Sequence, residues 1–115
     1  MNRKKFEVIA REEADQHTIY VKGELDLAVA AEFRSAIEPL ISTDKEVILD
    51  MGELTYIDST GMGILIFFLK ARKEENRAFA VQNIPQKIKK LLDLTGITRF
   101  LPVQDGAPGQ EAGEV

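Results

Sequence analysis

Met62 to Leu69 is the longest apolar run in the chain, counting Gly63, and it limits the possible folds more than any other segment. Periodicity alone does not separate strand from helix in so short a run. Three features favour helix. Asp58 and Ser59, just before it, are both good N-cap residues. Lys70, Arg72 and Lys73, just after it, suit the negative end of a helix dipole. The continuous span is also long for a strand. A helix apolar nearly all round has no face to offer water, so it must be packed between a sheet and neighbouring elements. The run is far short of the roughly 18–20 residues needed to cross a bilayer.

The rest of the chain supplies the sheet. Phe6, Val8 and Ala10 alternate with Glu7, Ile9 and Arg11, a strand pattern. Glu12 to Gln16 is a polar turn, with the single histidine, His17, at its end and expected at the surface. Thr18-Ile19-Tyr20-Val21 is β-branched and aromatic, a second strand that pairs with the first as an antiparallel hairpin and stops at Gly23. From Asp26 the period becomes helical, with Leu27, Ala30, Phe33, Ile37, Leu40 and Ile41 on one stripe and Pro39 disturbing the last turn. Glu46-Val47-Ile48-Leu49-Asp50 reads as a central strand buried on both faces, and Met51 to Ile57 as a connection. Ala78 to Val81 is another strand. A third helix follows, with Pro85 at its first position, Ile88, Leu91, Leu92 and Thr95 inward, and Gly96 as its stop. Phe100, Leu101 and Val103 add a last short strand. The order β-β-α-β-α-β-α-(β) predicts an α/β fold, a mixed sheet of four to five strands with helices packed on it.

One domain is expected over residues 1–103, with a disordered acidic tail over 104–115. The chain has 115 residues and no cysteine, which excludes disulfides and thiolate chemistry. Its net charge of −4 is uneven: the tail carries Asp105, Glu111 and Glu114 and no Lys or Arg. Without those three, 16 acidic residues face 15 basic ones, so the domain is almost neutral and carries no electrostatic footprint for nucleic acid. Lys87, Lys89 and Lys90 form a basic cluster that reads as a solvated helix face. No targeting segment is visible, and a cytoplasmic location is expected.

The chemistry centres on Asp58-Ser59-Thr60-Gly61. Ser59 sits where a loop turns into a helix, within reach of the free N–H groups of the first turn. A phosphate there would meet those donors and the positive end of the helix dipole, and would add about −1.5 to −2 charges beside Asp58. Gly61 and Gly63 keep the surface low for an approaching partner, although each costs roughly 1 kcal/mol of helix propensity relative to Ala. The same residues also allow a plainer reading, in which Asp58 or Ser59 is only an N-cap and the glycines only permit close packing. Tyr56, Ile57, Met62 and Leu65 flank the site as core or as an apolar contact rim.

Tyr56-Ile57-Asp58-Ser59-Thr60-Gly61-Met62-Gly63 resembles the signature of bacterial anti-sigma factor antagonists of the STAS domain family. Gly23-Glu24-Leu25-Asp26 looks like that family's first motif, Val47-Ile48-Leu49-Asp50 like its central strand, and Leu91-Leu92-Asp93-Leu94-Thr95-Gly96-Ile97 like its C-terminal helix. The four segments keep the family's order and spacing from about Phe6 to Val103. The resemblance implies that Ser59 is a phosphoacceptor, with Thr60 the runner-up, and that Asp26, Asp58, Thr60, Gly61 and Met62 contact a partner. Asp26 is either an N-cap, or a neighbour of the serine, or both. The implied partners are a serine kinase that also serves as an anti-sigma factor and a phosphatase that restores the serine. The implied mechanism is a partner switch that frees a sigma factor for transcription, with no direct nucleic-acid or membrane contact. A different role for the same fold is a structural or regulatory subunit of a lipid-transport or stress-signalling complex.

The residues offer no catalytic set of their own. One histidine cannot build a His-based metal site, and it serves a Ser-His-Asp relay only if it lies near Ser59. There is no Gly-rich phosphate loop of either common pattern, which argues against a nucleotide-hydrolysing protein. Asp26, Asp50 and Asp58 all fall near strand ends and could gather around a magnesium ion, an unspecific pattern. No cofactor is expected, and the chain reads as one acted upon rather than acting.

Overall fold

The computed structural model describes residues 5–101 and the backbone of residues 103 and 104. Strand β1 (Phe6–Glu12) and strand β2 (Gln16–Leu25) form the expected antiparallel hairpin, in register from Phe6 opposite Gly23 to Glu12 opposite His17. β2 does not stop at Gly23 but runs on to Leu25. Gly23 has φ +89°, and a Cβ there would run into the Lys5 carbonyl oxygen, so the strand bulges at this point without ending. His17 lies within β2, half-buried, and not in a turn.

Strand β3 (Glu46–Ile57) is central, parallel to β2 on one side and to β4 (Phe79–Gln82) on the other. A two-residue β5 (Val103–Gln104) extends the parallel part beyond β4, giving the sheet order β1-β2-β3-β4-β5. Each parallel step is bridged by a helix, as a crossover requires. The connection expected over Met51 to Ile57 is instead a continuation of β3, paired with β2 as far as Leu25 opposite Ile57. Two register shifts put the buried residues of this stretch, Met51, Leu54 and Ile57, three apart, which hides the two-residue period of a strand.

Helix α1 (Ala30–Ile37) lies between 3-10 turns at Leu27–Val29 and Glu38–Leu40, the second of which contains Pro39. Leu27 is 71% exposed and is not part of the inner stripe, because the 3-10 turn rotates it away from Phe33 and Ile37. The apolar run is helical: α2 spans Ser59–Glu74. Helix α3 (Gln86–Thr95) begins one residue later than expected, with Pro85 outside it, and ends at Gly96 with φ +80°. A 3-10 turn, Ile97–Phe100, then takes up Phe100. Leu91 is only half-buried and Thr95 is exposed, so Ile88 and Leu92 carry the contact of α3 with the core. The tail expected from residue 104 lies outside the described residues, apart from the backbone of Gln104, which pairs with Gln82.

One core cluster joins the three helices to one face of the sheet. It contains Phe33 and Ile37 of α1, Leu65 and Phe68 of α2, Ile88 and Leu92 of α3, and Ile19, Leu49 and Val81 from the strands. Phe68 meets Phe79 edge to face at 5.1 Å. Thr18, Ile48 and Ala80 lie side by side in register on the opposite face and are also buried, so β3 is covered on both sides.

The C-terminal end of α2 is fixed by Arg72, which is fully buried. Its Nη1 donates to the carbonyls of Thr43 (2.7 Å), Ile41 (3.2 Å) and Leu40 (3.3 Å), its Nη2 to Lys45 (2.9 Å), and its Nε to Ala78 (3.1 Å), an oxygen that Nη2 shares. Burial lowers its pKa, yet guanidinium stays protonated in proteins, so these bonds to carbonyl oxygens hold a buried cation. These oxygens come from the chain entering β3 and the chain entering β4. Arg72 therefore ties α2 to two sheet connections at once.

Candidate functional site

The parallel pairing of β2 and β3 brings the loop after Leu25 and the loop after Ile57 to the same edge of the sheet. The backbone N–H of Asp58 donates to Leu25 O at 3.2 Å, which continues the ladder by one bond. The Asp58 carboxylate then joins the two loops. Its Oδ1 accepts from the N–H groups of Thr60 (2.9 Å) and Gly61 (3.0 Å), capping α2. Its Oδ2 accepts from the N–H of Leu27 at 3.2 Å, across thirty-one residues of sequence. Asp26 caps its own turn, its Oδ1 accepting from Ala28 N at 3.0 Å. Asp58 thus acts as a clamp holding the start of α2 against the start of the first crossover.

This arrangement leaves Ser59 outward. It is exposed, while Asp58 and Thr60 are half-buried and Gly61 and Met62 are buried. The Thr60 and Gly61 donors expected to meet a phosphate on Ser59 are already occupied by Asp58. A phosphoryl group on Ser59 would therefore add charge beside a fixed carboxylate without gaining those two bonds.

The two glycines differ. A Cβ on Gly61 would lie 2.8 Å from Leu25 Cγ, 2.9 Å from Leu25 O and 3.0 Å from Ile57 Cγ1, so Gly61 allows α2 to sit directly on the β2 and β3 ends. A Cβ on Gly63 would meet nothing within 4 Å. Gly63 is open surface, one helical turn beyond Ser59. Of the flanking apolar residues, Ile57, Met62 and Leu65 are core, while Tyr56 is 46% exposed.

The other sequence candidates lie elsewhere. Asp50 does not join Asp26 and Asp58; its Oδ1 accepts from Gly52 N (2.8 Å) and its Oδ2 from Gln82 Nε2 (3.0 Å) and Asn83 Nδ2 (2.8 Å). Among the described residues no three His, Cys, Asp or Glu side chains come together as a metal site would need. His17 stands at the start of β2, its Nε2 3.5 Å from Thr43 Oγ1, at the opposite end of the β2–β3 pair from Ser59, where no relay with that serine is possible. Lys87, Lys89 and Lys90 are all exposed. Among the described residues no helix is long and apolar enough to cross a membrane.

Comparison with known proteins follows the same outline. The family model of the STAS domain matches residues 7–106. An anti-sigma-B factor antagonist of Staphylococcus epidermidis is 27% identical over 93 residues, covering 80% of this chain and 86% of that protein. The solved anti-sigma-factor antagonist (STAS) domain protein of Planctomyces limnophilus superposes with TM-score 0.77 at 19% identity, over 91% of this chain and 93% of that one. The Bacillus cell fate determinant SpoIIAA, solved in its phosphorylated form, superposes with TM-score 0.66 at 17% identity, over 93% of this chain and 96% of that one.

Proposed function

The chain belongs to the STAS domain family, and on that premise we propose that it is an anti-sigma factor antagonist switched by phosphorylation of Ser59. In its unmodified form it binds a serine kinase that doubles as an anti-sigma factor, and so releases a sigma factor. The kinase transfers the γ-phosphoryl group of ATP to the Ser59 hydroxyl, ADP leaves, and the complex dissociates. A phosphatase hydrolyses the ester and restores binding.

The observation that carries this reading is the exposure of Ser59 on an otherwise immobilised turn. Asp58 holds the backbone on both sides, so the hydroxyl is presented on a fixed frame. Gly63 next to it gives a kinase cleft room to close. Asp26 and Asp58 border the contact face, Thr60 stands beside the acceptor, and buried Gly61 and Met62 set the height of the helix beneath it. Because Asp58 occupies the first-turn donors, the phosphoryl charge stays at the surface and acts by repulsion and desolvation cost in the interface. Each 1.4 kcal/mol of such cost weakens the complex about tenfold. The Bacillus relative solved in a phosphorylated form supports the same chemistry.

The test is incubation with the serine kinase encoded nearest to this chain, with ATP, followed by phosphosite mapping by mass spectrometry. One phosphate on Ser59, absent from Ser59→Ala, is the expected result. A phosphate on Thr60 overturns the residue assignment, and failure of every neighbouring kinase to modify the chain overturns the function.

A further inference from the structure

Three adjoining hollows, each sharing lining residues with the next, make up a trough along α2 away from Ser59. It opens between Ser59, Met62, Gly63 and Ile66 on the helix and Ile97 and Phe100 on the 3-10 turn after α3. Past Ile66 and Phe100 it widens to about 630 Å³, with Leu69 in its floor and Lys70, Lys73 and Arg99 on its rim. It ends near Arg77 and Leu101. From Ser59 to Lys73 the helix rises about 21 Å, the length of some six extended residues.

The trough is apolar inside and cationic at one end. Phe100 is 66% exposed and stands beside Ile66 and Leu69 in the trough lining. Among the described residues Lys70, Lys73 and Arg99 form no ion pair within 4.0 Å, as is also true of Arg11, Lys87 and Lys90, whereas Lys22, Arg34, Lys45, Arg77 and Lys89 each have an acidic partner. Arg99 lies against the Phe100 ring, 5.7 Å from its centroid, and both residues line the trough. Three cations without an acidic partner on the rim of one apolar trough attract a ligand with both apolar and acidic groups.

We propose that this trough docks an acidic amphipathic polypeptide segment, its apolar side chains on Ile66, Leu69 and Phe100 and its carboxylates on Lys70, Lys73 and Arg99. A length of about 21 Å open to solvent along one side suits a segment of chain better than a small molecule, which is usually enclosed. Since the trough opens beside Ser59, the segment belongs to the protein that engages that serine. That last step rests on the switch reading; the acidic docking does not.

The test uses the full chain, isotope-labelled, and two 14-residue amphipathic helical peptides with the same Leu and Phe face, one bearing Glu and the other Lys on its polar face. The Glu peptide is expected to shift the amide resonances of Ile66, Lys70, Lys73, Arg99 and Phe100. Its affinity should fall at least tenfold in K70Q/K73Q/R99Q and again in Phe100→Ala, and should weaken as salt is raised. The Lys peptide should not bind. All four substituted side chains are exposed, and unchanged far-UV circular dichroism certifies the fold of each variant. Equal binding of both peptides, equal affinity of the triple variant, or shifts confined to other surfaces overturns the proposal. So does a dodecanoate anion that fills the trough and displaces the peptide at equal or lower concentration, since the site is then one for small amphiphiles. The peptide titration needs neither kinase nor ATP, so a failure of the phosphorylation reading does not alter this result.

Discussion

The two ends of α2 are anchored by opposite kinds of residue, and the difference separates an enclosed end from an accessible one. At the C-terminal end a buried cation, Arg72, is saturated by five backbone carbonyls from two sheet connections. At the N-terminal end a half-buried anion, Asp58, takes three N–H groups from two loops, and the next residue, Ser59, is left exposed. Both charges suit the helix dipole, an anion at the N-terminus and a cation near the C-terminus, and Arg72 donates its hydrogen bonds to carbonyls outside the helix. At one end the anchoring group is enclosed and fully bonded. The other presents a hydroxyl on a frame that does not depend on it.

Substitutions along α2 test that contrast. Arg72→Met should be the most damaging, costing about 3–5 kcal/mol in urea unfolding, because five carbonyls lose a charged donor in a buried site. Arg72→Lys should restore only part of it, since one ammonium cannot reproduce the spread of a guanidinium fork. Gly61→Ala comes next, at about 1–3 kcal/mol, as the new methyl group collides with Leu25 and Ile57. Asp58→Ala should cost about 1–2 kcal/mol through the lost cap, and hydrogen exchange should quicken at Thr60, Gly61 and Leu27 together. Accelerated exchange at Thr60 and Gly61 without Leu27 would show that Asp58 caps α2 but does not clamp the crossover. Gly63→Ala should have the opposite sign, a gain of roughly 0.5–1 kcal/mol, because the position is open and Ala is the better helix former. If Gly63→Ala also weakens kinase binding, the glycine is kept for the interface at the expense of stability.

Much of this was legible in the sequence, and the exceptions share a cause. The element order, the parallel crossovers, the left-handed stop at Gly96 and the capping by Asp58 and Asp26 all follow from short-range patterns. The second half of β3 did not, because its register shifts spread Met51, Leu54 and Ile57 three apart. Arg72 reads as one of three cations suited to a helix C-terminus, yet it is buried while Lys70 and Lys73 stay at the surface. Nothing local distinguishes them; the carbonyls that capture Arg72 lie up to thirty-two residues away. The bond from Asp58 to Leu27 is equally long-range. Gly61 and Gly63 look alike in sequence and differ only by what α2 is packed against. Local chemistry is written along the chain, whereas which of several similar residues faces inward depends on partners brought together by folding.

On the proposed switch, Ser59 takes the phosphoryl group and contributes nothing to the frame. The direct measurement is calorimetric titration of the kinase anti-sigma factor with unmodified chain and with chain phosphorylated on Ser59, alongside urea unfolding of both forms. Affinity should be at least tenfold lower for the phosphorylated chain, and the two unfolding free energies should lie within about 0.5 kcal/mol of each other, as for an exposed surface change. Equal affinities, or a loss of stability large enough to explain the loss of binding, would contradict the proposed switch.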